Sequence, residues 1–535
     1  MSRDWIGLAL AATVSLSVLL QGCAPSAEDT RPSDPAVFNI ASTNEVMIGW
    51  DPGTHASNEV KAMPLMYEGL TRYDPATDTV RPLLAESFEV TPDGLQWTFR
   101  LRAGVTFHTG RKLTAGAVKE AFDRNIDLGL GSAYIWSAVE TIVAPDPLTV
   151  VFHLRYPAPI DLIAAAAYQG EIYDVRAAPA EALGEWFAEG NDAGTGPYTV
   201  DAWHRGQEVE LRLKAYGAYW GGWEPHHYRN VVFRVVREPN TAAQLLNAGE
   251  LSFVEKLTPQ LWASFEGRRG FQTTSIASFQ NMLMLLNTKR GALSDHRVRQ
   301  AISYGIDYEG LVAASHGALT RAHGLIPHGM PGESHGLQLY EYDPGRAVRL
   351  LQQAGYGPGG ETLRLDLGFL PEEPEEVLAA MVVKANLAAL NIVVEPRPML
   401  WELLWATAKT PDPSKAIDMM LMLWWPDYPA PPTWFAPLFG TEDPPHYNVT
   451  RFSDRELDPL MSEAQRLLGV DRAAATEVYR RLQVRLLEAA PAVLLGDMAY
   501  QRVLTTSTSG YVDNPVYPNA VLVRDLRRET TPGIP

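Results

Sequence analysis

Four histidines stand in one glycine- and proline-rich stretch, "SHGALTRAHGLIPHGMPGESHG", where their type and spacing could serve metal binding. They are separated by seven, five and seven residues: His316, His323, His328 and His335. Imidazole nitrogen is a common ligand of nickel and zinc. None of the intervals is the i, i+4 spacing that sets two imidazoles on one helix face. The residues alone leave open a metal site and a solvated loop.

Two further chemical signals do not predict catalysis. The four glutamates of "PEEPEEV" predict an exposed acidic helix start, where carboxylates meet the positive end of the helix dipole: Glu372, Glu373, Glu375 and Glu376. "GYGPGG" (355–360) spells GxGxxG, but it follows a predicted helix and precedes a predicted strand. A dinucleotide site requires the opposite order. We therefore expect no cofactor and no enzymatic activity.

Cys23 is the only cysteine among 535 residues. It directly follows "LLQG" and resembles the lipobox of bacterial lipoproteins, in which the cysteine is lipidated and becomes the mature N-terminus. Residues 5–20 carry no charge, and as a helix they would reach about 24 Å, short of a bilayer core of about 30 Å. We predict a signal peptide at 1–22, lipid attachment at Cys23 and a tether at 23–36. The alternative is a signal peptide with an incidental cysteine.

Composition limits the class of protein. The net charge of −18 argues against nucleic acid as a partner and against a basic membrane-binding face. A mature chain of about 500 residues exceeds a single hydrophobic core, so we expect two or more lobes.

Periodicity and capping residues predict strands mixed with long helices. Residues 95–101 alternate apolar and polar side chains, as a half-buried strand does. Thr114, Asp343 and either Ser294 or Asp295 stand where helices should begin. These elements predict an α/β protein in several lobes.

Seven stretches carry a more specific pattern. They are "MYEGLTRYDPATDTVRPLLAESFEVTPDGLQWTFRLRAGVTFHTGRKLTAGAV" (66–118), "GTGPYTVDAW" (194–203), "YGAYWGGWEPHHYRNVVFRVV" (216–236), "LSDHRVRQAISYGID" (293–307), "YDPGRAVRLLQQAGY" (342–356), "WWPDYPAPP" (424–432) and "YNVTRFSDRELDPLMSEA" (447–464). In order, and over about residues 39–527, they resemble the family 5 extracellular solute-binding proteins of ABC importers, the oligopeptide-, dipeptide- and nickel-binding group.

The resemblance implies an α/β, two-lobed type II periplasmic-binding-protein (Venus-flytrap) fold that closes on a hinge. Lobe I would span 37–275, with an extra subdomain at about 65–190. Lobe II would span 277–490, and 491–535 would return to lobe I. The implied function is capture of short peptides outside the cytoplasm and delivery to an ABC permease. The chain would act as a monomer, lipid-anchored at the periplasmic or extracellular face of the envelope.

The resemblance also indicates a ligand site. In peptide-binding members, an aspartate at the position of Asp427 pairs with the ligand's N-terminal ammonium, and closure dehydrates that pair. The backbone at Trp424 and Trp425 would pair with the peptide as an added strand. The competing interpretation of Asp427 is an aspartate that caps a turn.

Further contacts are expected from two segments of lobe I. The family's first-lobe segment corresponds to Gly53, Thr54 and His55, and Tyr134 and Trp136 both stand where family members often place a cleft aromatic. For these aromatics, packing in the core is an equally good interpretation.

The ligand's own chemistry is left open. "PAPP" replaces the usual acidic residue and proline after "DY", and no basic residue is evident for a ligand carboxylate. Alternatives to a short peptide are nickel or another small solute in the same fold and, from another class, a cell-envelope hydrolase. In the family the histidine stretch is a surface loop, so we predict a solvated loop and no metal there.

Overall fold

A computed structural model describes residues 36–55, 58–77, 79–166, 168–205, 209–517 and 519–529. The predicted signal peptide, Cys23 and nearly all of the tether lie outside these residues. Within the described part of the chain, no helix is both long and apolar enough to cross a membrane.

The described chain alternates strands and helices throughout. The strands are β1 Val37–Ser42, β2 Thr71–Asp74, β3 Thr79–Pro82, β4 Ala85–Val90, β5 Gln96–Leu101, β6 Val139–Asp146, β7 Thr149–Leu154, β8 Tyr198–His204, β9 Glu210–Ala215, β10 Asn230–Val235, β11 Phe253–Val254, β12 Phe271–Leu286, β13 Leu319–Thr320, β14 Leu363–Phe369, β15 Ile392–Pro398, β16 Met419–Trp424, β17 Ala492–Thr505, β18 Thr508–Ser509 and β19 Arg527–Arg528. The α-helices are α1 Met63–Met66, α2 Ala115–Leu128, α3 Ile160–Ile163, α4 Leu183–Ala188, α5 Pro239–Ala248, α6 Pro259–Ala263, α7 His296–Tyr304, α8 Tyr308–Ala314, α9 Pro344–Gln353, α10 Pro374–Ala388, α11 Trp401–Ala408, α12 Pro432–Phe439, α13 Leu457–Leu468 and α14 Arg472–Ala489.

One large sheet links two halves of the molecule. Its strand order is β15-β14-β16-β12-β17-β11-β1-β10-β9-β8, with β13 on β17. The half built on β1 and β8–β11 is lobe I, and the half built on β14–β16 is lobe II. The long antiparallel strands β12 and β17 pass through both halves. Their register shifts between Ala277 and Asn281, so the crossing point between the lobes is an irregularity in this ladder.

A separate four-stranded sheet, in the order β4-β5-β7-β6, belongs to lobe I. α2 packs against β6 and β7 of this sheet, and Phe99, Phe122 and Phe152 are fully buried between them. These elements fall inside the range 65–190 given for an extra subdomain. The residue limits of the lobes and of this subdomain stay a prediction.

Several local expectations match the structure closely. The predicted strand at 95–101 is β5, one residue shorter at its start. Thr114 caps α2, and its side chain accepts a hydrogen bond from the amide of Ala117. Asp295, one of the two proposed caps, begins α7, and Asp343 begins α9. Local capping chemistry was therefore readable without tertiary information.

The expectation for the glutamates of "PEEPEEV" was wrong in one respect. They do stand at the start of α10, but Glu375 and Glu376 are buried, at 6% and 1% exposure. Glu375 lies 2.6 Å from Nζ of Lys256, which also pairs with Glu373. The sequence pattern could not show that a lysine 117 residues away in the chain covers this helix start.

Candidate functional site

A cavity of about 750 Å³ lies between the two lobes, within the usual range for small-molecule sites. Aromatic side chains from both lobes line it: Tyr134, Tyr168, Trp401, Trp405, Trp424, Trp425 and Tyr447. Such rings supply large apolar contact area together with a polar edge. The cavity can therefore enclose a mixed polar and apolar solute.

Asp427 stands on this cavity and touches the opposite lobe. Its Oδ1 accepts a hydrogen bond from Ser132 Oγ at 3.0 Å, and its Oδ2 accepts one from the hydroxyl of Tyr134. Asp427 follows β16 by three residues in lobe II, whereas Ser132 precedes a short 3₁₀ turn of lobe I and Tyr134 lies within that turn. Because these two hydrogen bonds join the lobes, they can form only when the lobes are close together.

Burial determines the electrostatics of this group. Desolvation raises the pKa of Asp427 to about 6, although the hydrogen bonds from Tyr134 and Ser132 oppose the rise. The pKa of Tyr447 rises to about 12, through burial and the nearby Asp427 charge. A cation that entered beside Asp427 would offset its desolvation and favour the charged carboxylate.

Two tryptophans precede Asp427 at the end of β16. Trp424 donates from Nε1 to the carbonyl of Thr433 at 2.9 Å, and Trp425 donates to the hydroxyl of Tyr168 at 3.0 Å. The second bond is another contact between lobe II and lobe I. Both indole rings are half-buried and line the cavity, so the structure brings these two predicted residues together with Asp427.

The two aromatics predicted from lobe I have different positions. Tyr134 lines the cavity and bonds Asp427. Trp136 is 1% exposed, stacks on Phe152 and donates from Nε1 to the carbonyl of Gln169. Trp136 is thus part of the lobe I core, and the structure does not place it at the cavity.

The predicted segment Gly53, Thr54 and His55 lies beneath the cavity wall, and none of the three lines the cavity. His55 is buried, 3.1 Å from Glu171. The Gly53 carbonyl accepts a hydrogen bond from Gln169, which also bonds the carbonyl of Leu130. Gln169 therefore ties this segment to the chain just before the turn that carries Ser132 and Tyr134. The segment supports that turn and does not face the cleft.

Several lining residues were not predicted. Ser132, Tyr168 and Tyr447 come from separate loops, and Trp401 and Trp405 lie one helical turn apart on α11 with stacked rings. The i, i+4 tryptophan spacing was a readable signal for a shared helix face. The isolated serine and tyrosines gave no such signal.

Four basic residues also line the cavity, and three of them are paired. Lys61 lies 2.8 Å from Glu255, Lys256 pairs with the α10 glutamates, and Arg502 lies 3.4 Å from Asp513. Arg237 is exposed at the cavity, and no ion pair joins it to another described residue. The sequence had not singled out any of these cations.

The histidine stretch (315–336) contains β13 and continues into the connection between β13 and α9, where His323, His328 and His335 lie. His323, His328 and His335 have side chains that are 52%, 55% and 82% exposed. The same loop contains "GESHG" (332–336), which spells the hydrolase pattern GxSxG. Ser334 is buried and accepts a hydrogen bond from Gln483, without the strand–turn–helix context that exposes a nucleophilic serine.

Two lobes joined by crossing strands, with an aromatic cavity between them, define the class of solute-binding proteins that close over a ligand. Residues 79–445 match the family "Bacterial extracellular solute-binding proteins, family 5 Middle". The chain belongs to this family. It is an extracytoplasmic solute-binding protein of an ABC importer, with the type II periplasmic-binding-protein fold.

Individual relatives are distant but match over nearly their whole length. The chain is 25% identical to a probable D,D-dipeptide-binding periplasmic protein, DdpA, of Escherichia coli, over 94% of this chain and 96% of that protein. It is 26% identical to heme-binding protein A of Haemophilus influenzae, over 84% and 85%. A solved structure of DppA from Helicobacter pylori with the peptide STSA superposes with a TM-score of 0.78 at 22% identity, covering 92% and 98%. Relatives this similar carry different ligands, so the ligand must be argued from the cavity.

Proposed function

We propose that the chain captures short peptides between its lobes and delivers them to the membrane permease of an ABC importer. Asp427 would receive the peptide's N-terminal ammonium. The observation that carries the proposal is a half-buried carboxylate on an aromatic cavity between the lobes, with a pKa that burial raises to about 6. Such a group gains most from a ligand cation, because the cation repays the desolvation of the charged form.

The edge of β16 supports an extended peptide as the ligand. β14 pairs with β16 only at Met419 and Met420, and β12 pairs with the other edge of β16 up to Trp424. Residues 421–424 therefore present backbone groups on one edge, and Met422, Leu423 and Trp424 line the cavity. An extended peptide can bond such an edge as an added strand.

The far end of the ligand has a candidate partner as well. Arg237 is the cavity cation without an ion pair to another described residue, so a ligand carboxylate can approach it without breaking an existing pair. A zwitterionic peptide would then be held by Asp427 and Arg237. Nickel in the cavity is less well supported, since the described lining residues include no histidine or cysteine.

The chain's place in the envelope forms part of the same proposal. We infer that Cys23 carries lipid and that residues 23–36 tether a monomeric receptor to the membrane. Mass spectrometry of the purified protein's N-terminal fragment would test this. A lipidated Cys23 at the mature N-terminus is the expected result, and an unmodified internal cysteine would contradict it.

Native mass spectrometry of protein purified from its own host tests the ligand. We expect a complex whose released solute fragments as a short peptide. Release of nickel or of an uncharged solute would overturn the peptide assignment. Incubation with a peptide mixture tests the alternative of a cell-envelope hydrolase, because a receptor leaves every peptide mass unchanged.

A further inference from the structure

The loop between β13 and α9 gathers two imidazoles and a carboxylate around one point. Nδ1 of His323 and Nδ1 of His328 lie 3.2 Å and 3.1 Å from the same atom, Oε1 of Glu333. One ligand atom from each of the three residues lies within 4.8 Å of the other two. None of the three residues lines the interlobe cavity, so this cluster is separate from the peptide site.

These separations fit ligands of a single metal ion. Zinc lies about 2.0–2.2 Å from imidazole nitrogen and carboxylate oxygen, which sets tetrahedral ligands about 3.3–3.5 Å apart. The two nitrogen–oxygen distances differ from this by only a few tenths of an ångström. With its proton on Nε2, each imidazole would turn a lone pair at Nδ1 toward the cation. Binding therefore requires little change in the distance of either imidazole nitrogen from Glu333.

The surrounding backbone holds the carboxylate in place. Oε2 of Glu333 accepts a hydrogen bond from the amide of Gly329 at 2.9 Å, and Gly329 has φ +79°, a conformation that favours glycine. The amide of His328 donates to Asp497 of β17 at 3.1 Å. Hydrogen bonds of this kind orient metal ligands. Glu333 is 11% exposed and the imidazoles are about half exposed, so the carboxylate is held in place and the imidazoles are accessible to a cation from solvent.

We propose that His323, His328 and Glu333 bind one first-row divalent transition-metal cation. Zinc is the ion with which the site is tested. The exposed imidazole of His335, whose Nδ1 lies 3.8 Å from Oε1 of Glu333, or a water molecule fills the fourth position. Two nitrogens and one oxygen suit zinc, nickel or copper better than magnesium or calcium, which prefer oxygen ligands alone.

Calorimetric titration of zinc chloride into the full chain, carrying no histidine tag, tests the site. We expect one zinc ion per chain. His323→Ala and His328→Ala should each weaken zinc binding at least tenfold, and Glu333→Gln, which keeps the side chain's size, should do the same. His316→Ala is the matched control, since His316 is an exposed histidine of the same stretch outside the cluster.

Two further measurements keep the proposal falsifiable. Cobalt(II) bound at the site should give visible absorption bands that disappear in His323→Ala. Asp427→Asn should bind zinc as the unaltered chain does, because Asp427 belongs to the cavity. Absence of zinc binding, binding unchanged in both His323→Ala and His328→Ala, or loss of zinc in Asp427→Asn would overturn the site.

Discussion

Asp427 can accept a ligand ammonium without giving up its contacts to lobe I. An ionised carboxylate offers about four lone-pair positions, and Ser132 and Tyr134 occupy one on each oxygen. Asp427 itself lines the cavity together with aromatic side chains, so a ligand in the cavity can reach this carboxylate. In the proposed function the same residue would join the lobes and hold the ligand, so we expect it to couple binding to closure.

Asp427→Asn should weaken binding of a peptide with a free N-terminus by more than tenfold. The amide keeps the shape but loses a charge-assisted hydrogen bond, which contributes about 1.5–3 kcal/mol. Isothermal titration calorimetry with the peptide found in the native complex measures the loss. Asp412→Asn, at an exposed aspartate of lobe II, is the control. Equal affinities in both variants would remove Asp427 from the site.

Peptide affinity should fall about tenfold between pH 7 and pH 5. Burial raises the pKa of the Asp427 carboxyl to about 6 in the free protein, and bound ammonium would lower it, so binding expels a proton. Below pH 6 the Asp427 carboxyl is mostly protonated, so the peptide must displace that proton and its affinity falls. The peptide's ammonium stays charged over the whole range. Calorimetry across this pH range tests whether Asp427 causes the change, because the affinity of Asp427→Asn should not depend on pH. An equally steep fall in the affinity of the variant would contradict the role of Asp427.

At the scale of elements, the start of α10 closes against lobe I. Glu373 and Glu375 both pair with Lys256, which follows β11 by two residues. These neighbours raise the pKa of Lys256 although its burial opposes the rise, so the lysine stays charged. The contact lies beside the cavity and adds an ion-paired contact to the hydrogen bonds that Asp427 and Trp425 make across the lobes.

Lys256→Met should favour the open form and weaken peptide binding at least tenfold. Methionine keeps the length of the side chain but leaves two carboxylates without a counter-charge, and a half-broken buried pair is strongly unfavourable. Calorimetry measures the affinity, and X-ray scattering measures the radius of gyration. Adding Glu373→Gln and Glu375→Gln to the variant should restore affinity. Lys415→Met is the control, because that side chain is 75% exposed. If Lys256→Met weakens peptide binding no more than Lys415→Met does, the contact has no role in closure.

At the scale of the whole molecule, β12 and β17 are the elements on which the lobes can rotate. Both strands continue through the two halves of the sheet. The shift in register near Ala277 and Asn281 interrupts the regular pairing at the crossing, and irregularities of this kind bend a strand locally. We expect the two lobes to move as rigid bodies about this region when the cavity opens, as in hinge closure of such proteins.

Peptide binding should make the molecule more compact without changing the peptide. We expect the radius of gyration to fall on titration and tryptophan fluorescence to shift, because Trp401, Trp405, Trp424 and Trp425 all line the cavity. Small-angle scattering and fluorescence measure closure, and mass spectrometry follows the peptide. A rigid particle with constant dimensions, or a cleaved peptide, would contradict a receptor that works by closure.

Local chemistry made much of the fold predictable. Thr114, Asp295 and Asp343 cap helices through hydrogen bonds to amides only two or three residues ahead, so the sequence carried the whole signal. The same holds for the alternation that gave β5. Local patterns did not predict the positions of Trp136 and His55, because a tryptophan or histidine suits a core and a cleft equally well.

The sequence by itself determined the family, because its ordered motifs resemble that family, and the resemblance in turn implied the two-lobed fold and marked Asp427 as a candidate ligand contact. Only the tertiary structure decided that Ser132 and Tyr134 meet Asp427, and that Lys256 covers α10. It alone also brought Glu333 between two histidines. Each of these contacts depends on how separate segments pack and turn, and neither residue type nor spacing records that geometry.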